Sequence, residues 1–214
     1  MSVAQWLNQT FASFDGGIFA FFNSIASDFL TGVMYVISLI GDKGLIVLVP
    51  ALILMLFAKT RKLGFCMALS VAVGALITNV TLKNLIDRAR PFLDENYKEY
   101  WLQAGHYFED ESSFPSGHTT AAMAGAMALF LSCDKKWSWV AFVGALIMGI
   151  SRIYLVAHYP TDVIGGLIVG AIAGVSAYFL TKLAYKIVND NAEKPFFIFV
   201  VHSDVRNLFI KKEK

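Results

Sequence analysis

The sequence predicts an all-α membrane protein, a bundle of six transmembrane helices. Three observations carry this expectation. AVILMFWYC residues make up 57% of the 214 positions and charged residues only 16%, against roughly 25% charged in an average soluble domain. Mean hydropathy is +0.58. The apolar residues gather into six runs separated by short polar connections. A hydrocarbon core of about 30 Å takes about 20 apolar residues per helix, fewer with flanking anchors and local thinning. Six such runs in one short chain leave too little polar surface to cover them in water. The same composition argues against disorder, a nucleic-acid-binding surface and an ordinary soluble enzyme. A net charge of +2 implies no polyanionic partner. Cys66 and Cys133 have neither metal nor redox spacing and make no disulfide framework.

From the N-terminus, no basic n-region or small-residue cleavage site is present, so a cleaved signal peptide is not expected. Leu7, Phe11, Phe14, Ile18, Phe21 and Ile25 recur at alternating spacings of four and three, one apolar helical stripe. The stripe reads either as an interfacial segment or as the start of a long, tilted first helix. The six spans are expected at Asn23–Ile40, Gly44–Ala58, Leu63–Leu82, Gly117–Ser132, Trp137–Tyr154 and Asp162–Leu183, the second and fourth being short. Gly166, Gly170 and Gly174 in the sixth form a small-xxx-small ladder, a device for close helix approach. The tail mixes Lys and Arg with a Phe-Phe-Ile-Phe-Val-Val run at 196–201 and reads as a membrane-surface segment. The expected organisation is an N-terminal amphipathic segment (1–22), a six-helix transmembrane domain (23–188) and a cytoplasmic C-terminal tail (189–214).

Basic residues set the expected sidedness. Lys59, Arg61 and Lys62 follow span two, Lys135 and Lys136 follow span four, and seven Lys or Arg lie from Lys182 on. With six spans these regions share one side. The opposite side holds Lys43 and the polar connection 92–114, where Asp94, Glu95, Glu99, Glu109, Asp110 and Glu111 face the single Lys98. Both termini are therefore expected in the cytoplasm and 92–114 outside. Its aromatic residues Tyr97, Tyr100, Trp101, Tyr107 and Phe108 suit either an interfacial position or a lid.

The ionisable residues near the outer ends of the spans are the chemical candidates, because charges near membrane depth are costly and functional by default. Lys83 and Arg90 are seven residues apart, nearly two helical turns, and so would share a face on which Asp87 might otherwise neutralise one of them. Alone, the pair reads as snorkelling interfacial anchors or as an anion clamp. Pro91 would stop that helix. Pro115-Ser116-Gly117-His118 opens span four. Ser116 and Gly117 would present free backbone N–H groups where a helix dipole favours an anion, with His118 placed to exchange a proton. The plain alternative is a helix start with an incidental histidine. Arg152 ends span five as a bidentate anion donor. His158 and Asp162, four apart, would meet on the first turn of span six, with Pro160 suited to that turn. A carboxylate on one imidazole nitrogen leaves the other as a nucleophile, although a capping His–Asp pair explains the spacing equally. Together, three cations, a helix N-terminus and two histidines make a site for a phosphoryl group, where catalysis is mainly positioning and electrostatics. No Asp/Glu-rich cluster suggests a divalent metal, and no cofactor is expected.

With these residues in view the chain resembles the type 2 phosphatidic-acid phosphatase superfamily. The family signature K-x6-R-P, P-S-G-H and S-R-x5-H-x3-D stands as Lys83 to Arg90-Pro91, Pro115-Ser116-Gly117-His118, and Ser151-Arg152 to His158 and Asp162. The resemblance runs from about residue 25 to 185. It implies a metal-independent membrane phosphatase in which His158 becomes phosphohistidine, Asp162 orients it, and His118 protonates the leaving oxygen and then activates water. Lys83, Arg90, Arg152, Ser116 and the Gly117 N–H would bind phosphoryl oxygens. A large extra lid domain is not expected in 92–114. The implied substrate is a membrane lipid phosphate or diphosphate at the outer leaflet, with undecaprenyl diphosphate favoured and phosphatidylglycerophosphate or phosphatidate second. A non-catalytic lipid-phosphate binding or transport protein is the competing class. It has no need of a nucleophile and so leaves the His158–Asp162 pair unexplained. No nucleic-acid or protein partner is implied.

Overall fold

The computed structural model describes residues 1–191, 193–194 and 204. All regular structure among them is helical. The principal helices are α1 (Val3–Thr10), α2 (Ala12–Ser24), α3 (Asp28–Ile40), α4 (Leu45–Met55), α5 (Arg61–Ala75), α6 (Glu95–Gln103), α7 (Gly117–Ser132), α8 (Val140–Tyr154) and α9 (Pro160–Asp190). Six of them, α3, α4, α5, α7, α8 and α9, overlap the six expected apolar runs. The apolar run at 196–201 lies outside the described residues.

The N-terminal stripe does not continue into a long first helix. The chain breaks at Phe11, and again before Ser27, whose side chain caps α3 by accepting from the Leu30 N–H. The first span thus begins at Asp28, and Asn23 belongs to α2. Phe14, Phe21 and Ile25 stay exposed, while Leu7, Asp15 and Phe19 face the protein. Helix α5 widens into a π-helical stretch (Leu76–Leu82) and ends in a last turn at Lys83–Ile86. Helix α4 closes at Met55, three residues earlier than expected.

Among the described residues three helices are long and apolar enough to cross a membrane, four if the bent α3–α4 pair counts as one broken span. The 16-residue α7 is shorter because it is the core of the bundle. Thr119, Thr120, Ala121, Ala122, Ala124, Gly125, Ala126 and Ala128 are all buried against neighbouring helices. A helix with small apolar residues nearly all round is surrounded by protein, not lipid.

Small residues bring α7 onto α9 at backbone distance, as the glycine ladder predicts. A Cβ on Gly170 would stand 2.6 Å from the Thr120 carbonyl oxygen, and one on Gly166 would stand 2.8 Å from that of Ser116. This contact ties the N-terminus of α7 to that of α9. The Ser116 N–H donates to the Asp162 carbonyl at 3.0 Å. The other end of the bundle is basic. Lys62 lies 5.6 Å over the Tyr185 ring, and Ser132 contacts Cys66. The starts of α5 and the ends of α7 and α9 therefore share the end away from the two histidines.

Candidate active site

Four segments meet at the histidine end of the bundle. The first follows α5. The helix stops at Ile86 because Asp87 adopts a left-handed conformation (φ +46°), and 87–90 carry no regular structure, Arg90 being extended before Pro91. Lys83 and Arg90 therefore do not share a helical face, and the chain reversal rather than helical phase brings them together. Asp87 neutralises neither. It accepts from the Ser112 hydroxyl at 2.8 Å, and Pro91 starts a short 3-10 turn instead of ending the helix.

The second segment is the turn Leu155–Tyr159, every residue of which is buried. The Arg152 carbonyl accepts from the N–H groups of Ala157 (3.1 Å) and His158 (3.2 Å). Val156 sits at φ +52°, a left-handed conformation that costs a β-branched residue roughly 1–3 kcal/mol and persists only where packing fixes it. The strain lies two residues from His158.

His158 Nε2 lies 3.0 Å from Arg90 Nη1. A guanidinium only donates, so Nε2 presents its lone pair and the ring proton is on Nδ1. Burial, reinforced by Arg90 and Arg152, holds this imidazole well below its ordinary pKa and so neutral, the form in which a nitrogen lone pair is available. The expected direct bond to Asp162 is absent. Nδ1 and the nearer Asp162 oxygen are 3.6 Å apart, beyond hydrogen-bond range. Ser113 lies beside both, its hydroxyl 3.4 Å from Nδ1 and donating to Asp162 Oδ2 at 2.5 Å. Pro160 does take the first helical position of α9, as its spacing predicts.

The third segment opens α7. Gly117 and His118 line a cavity of about 290 Å³ together with Asn79, Lys83, Glu111 and His158. Ser116 is wholly buried, and its hydroxyl oxygen accepts from Thr119 at 3.0 Å. Its backbone N–H is taken by Asp162, so of the expected Ser116–Gly117 pair it is Gly117 that faces the cavity. Buried His118 Nε2, Arg90 Nη2 and Arg152 Nε have no hydrogen-bond partner. Of the three, only His118 lines the cavity; the two guanidiniums are paired with Glu109, which lines it as well. Unmet polar groups on and beside one cavity match a ligand rich in acceptor oxygens.

The fourth segment is the acidic connection, and it supplies what sequence reasoning missed. The Glu109 carboxylate lies 2.6 Å from Arg90 and 2.7 Å from Arg152. Its oxygens are also 3.8 Å from His158 Nε2 and 3.9 Å from His118 Nδ1. Glu111 pairs with Lys83 at 2.5 Å. Burial alone would raise the Glu109 carboxyl, but the Arg152 guanidinium, with Arg90 beside it, holds it down to about 2. Arg152 further bonds Ser38 and stacks 4.5 Å over Tyr107. Trp101 stacks on Phe92 and Tyr97 packs on Phe19, so most aromatic residues of 92–114 seat the connection on the bundle while Phe108 stays exposed. Glu109 and Glu111 were visible in the sequence only as part of an acidic count. No periodicity marks which acid of an irregular segment turns inward.

A helical membrane bundle with one buried end built from two imidazoles, two guanidiniums and an ammonium is the architecture of an integral-membrane phosphatase. Residues 59–188 match the model of the PAP2 superfamily. The chain is 32% identical over 151 residues to the undecaprenyl-diphosphatase of Sulfolobus acidocaldarius, covering 70% of this chain and 69% of that protein. It is 31% identical over 192 residues to the lipid A 4'-phosphatase of Bacteroides thetaiotaomicron, covering 82% and 81%. It also matches the crystal structure of a transmembrane PAP2 type phosphatidylglycerolphosphate phosphatase from Bacillus subtilis. The TM-score is 0.65 at 29% identity, over 90% of this chain and 92% of that one. The chain belongs to the PAP2 superfamily and is a membrane lipid phosphatase.

Proposed function

We propose that this phosphatase hydrolyses a lipid diphosphate or phosphate through a phosphohistidine intermediate, with undecaprenyl diphosphate, converted to undecaprenyl phosphate, as its favoured substrate. The observation that carries the reading is Glu109. A carboxylate already lies between Arg90 and Arg152, within 3.9 Å of both His118 and His158, where the oxygens of a phosphoryl group would lie. Substrate binding displaces it.

His158 Nε2 attacks the terminal phosphorus, the bond from that phosphorus to the leaving oxygen breaks (the bridging oxygen of a diphosphate, the ester oxygen of a monophosphate), and His118 gives that oxygen its proton. Water then attacks the phosphohistidine while His118 takes a proton from it, which releases inorganic phosphate and the free imidazole. Arg90, Arg152 and Lys83 neutralise the phosphoryl oxygens, with the Gly117 N–H at the mouth of α7, while Ser116, its own N–H already given to Asp162, holds that mouth in place. Asp162, through Ser113, keeps the Nδ1 proton in place. Three fixed cations do the charge-neutralising work that a divalent ion does elsewhere, so the reaction runs without metal.

In the membrane the six apolar helices α3, α4, α5, α7, α8 and α9 each span or half-span the bilayer. The basic end and the C-terminal tail face the cytoplasm and the site faces outward. The amphipathic helices α1 and α2 lie at the outer rim against the site, where Asn8 and Asp15 meet Arg88, which fits a substrate drawn from the outer leaflet. An outward site therefore places the N-terminal segment outside with it, against the expectation that both termini are cytoplasmic. The similarity to a phosphatidylglycerolphosphate phosphatase over 90% of the chain favours that lipid as the second reading.

A phosphate-release panel on the purified protein, across undecaprenyl diphosphate, phosphatidylglycerophosphate, phosphatidate and lipid A phosphates with EDTA present, tests both substrate and metal independence. The highest kcat/KM is expected on undecaprenyl diphosphate. A preference for a glycerophospholipid overturns the first substrate assignment, and activity only with added Mg²⁺ overturns the metal-free mechanism.

A further inference from the structure

Arg88 is not one of the signature positions, yet its guanidinium bonds four side chains and lies over a fifth. It is fully buried, as is Asp162, and Asp15 of α2 is 2% exposed. Nη1 donates to Asp162 Oδ1 at 2.6 Å and to Thr161 at 2.7 Å. Nη2 reaches Asp15 at 3.1 Å and Nε reaches Asn8 of α1 at 2.7 Å. The guanidinium lies 3.8 Å over the Tyr159 ring. Asp15 in turn accepts from both the N–H (3.0 Å) and hydroxyl (2.9 Å) of Thr161, beside Asp162. Asp15 and Asn8 both lie outside residues 59–188, the part of the chain that matches the family model.

We infer that Asp15 and Arg88 are positioning residues for the nucleophile, and that the N-terminal helices thereby form part of the catalytic apparatus. The inference rests on the reading of His158 as nucleophile and Asp162 as its support. The physical reason is charge balance. A lone buried Arg88 at 2.6 Å would cancel the Asp162 charge and leave His158 without a counter-ion as it gains positive charge in the phosphoryl-transfer step. With Asp15 sharing the guanidinium, two carboxylates divide one cation. The trio keeps a net negative charge, and Asp162 Oδ2 stays directed at Ser113 and His158. Buried ion pairs are tolerated only when every donor and acceptor is satisfied. Here Asn8, Thr161 and the Tyr159 ring complete that shell and fix the plane of the fork. A Lys at position 88 would keep the charge and lose the plane.

The alternative is a scaffold role, with Asp15 only clipping α2 to the first turn of α9. Kinetics of the full-length protein in detergent separate the two. Asp15→Asn is expected to lower kcat about tenfold, a typical cost for a group that orients an active-site ligand, while KM and the vanadate inhibition constant move less than about twofold. Added to Asp162→Asn, measured by single turnover, the same substitution is expected to cost almost nothing more, because both act through one carboxylate. An equal factor in both backgrounds, or a parallel rise of KM and the vanadate constant, overturns the proposal. If Asp15→Asn does not fold, Asn8→Ala makes the same measurement from an exposed residue, with a loss of about threefold in kcat expected from one freed donor. Wild-type turnover there overturns the proposal. Wild-type turnover of His158→Ala or Asp162→Asn would instead remove the underlying mechanism, a result distinguishable from a silent Asp15→Asn beside two inactive variants.

Discussion

The carboxylate of Glu109 lies 2.7 Å from the guanidinium of Arg152, so the site holds an oxyanion before any substrate arrives. Substrate and loop compete for the same donors. Removing the charge while keeping the shape, in Glu109→Gln, should therefore raise the fraction of open sites and lower the apparent KM, by roughly 3- to 10-fold for a bias of about 1 kcal/mol. Vanadate should inhibit this variant more tightly than wild type. A weaker vanadate effect would mean that Glu109 holds the arginines in place rather than occupying their ligand position.

The same pair gives a pH signature. The Glu109 carboxyl is held down at about 2, against an ordinary value of 4.5. A depressed folded value means the ion pairs contribute fully above the ordinary carboxylate range and are lost as pH falls through about 2, a contribution on the order of 3 kcal/mol at neutral pH. Backbone hydrogen exchange in 104–113, corrected for the intrinsic pH effect, should stay slow down to pH 4.5 and speed up below it. Glu109→Gln should show fast exchange at every pH. A wild-type loop equally protected at pH 3 and pH 7 would rule out Glu109 as its tether.

The two histidines should fail differently. His158→Ala removes the atom that bonds phosphorus, so turnover should fall to background, with vanadate still bound by Arg90 and Arg152. His118→Ala removes proton transfer only, a loss of about 10²- to 10⁴-fold. That loss should be smaller for substrates whose leaving oxygen is more acidic. Equal losses of His118→Ala across leaving groups would contradict its role as the proton donor.

Much of this site is legible in the sequence because its parts are local. Gly117 and His118 open one helix, Pro160 opens another, and Gly166, Gly170 and Gly174 repeat at helical spacing where two helices meet at backbone distance. The roles read into them hold less evenly, since Asp162 takes the Ser116 N–H and stands 3.6 Å from the His158 ring. What spacing conceals is whatever depends on a non-helical backbone. Lys83 and Arg90 converge because Asp87 turns left-handed, not because seven residues make two turns. Ser113 comes to share the Asp162 carboxylate with His158 because its N–H is held by the Arg88 carbonyl at 2.7 Å. Asp15 falls between the apolar positions of its helix and reads there as a polar-face residue. Only the three-dimensional partner, Arg88, turns it inward.

The glycine ladder predicts a stability defect with a catalytic consequence. A side chain at Gly170 has no room, since its Cβ would stand 2.6 Å from the Thr120 carbonyl and 2.7 Å from Met123. Gly170→Val should cost roughly 1–3 kcal/mol through overpacking, read as a lowered melting temperature in detergent. Because α7 and α9 carry His118 and Asp162, kcat should fall as well. Gly144→Val, where nothing lies within 4 Å, should change neither.

The last prediction concerns sidedness, and the molecule carries its own control. Gln103 ends α6 in the exposed acidic connection, near the site. Cys133 follows the last residue of α7, the helix whose first turn holds His118, and so marks the opposite end of the bundle. An outward site with a cytoplasmic basic end requires the two positions to respond oppositely to a membrane-impermeant thiol reagent. Cysteine at 103, in a Cys133→Ser background, should label in intact cells. The native Cys133 of the unsubstituted protein should label only after lysis, while buried Cys66 stays silent in both. If position 103 labels only after lysis, the site faces the cytoplasm. The substrate would then be drawn from the inner leaflet, and the positive-inside bias of Arg61, Lys62, Lys135 and Lys136 would have to be outweighed by the way α1–α3 insert.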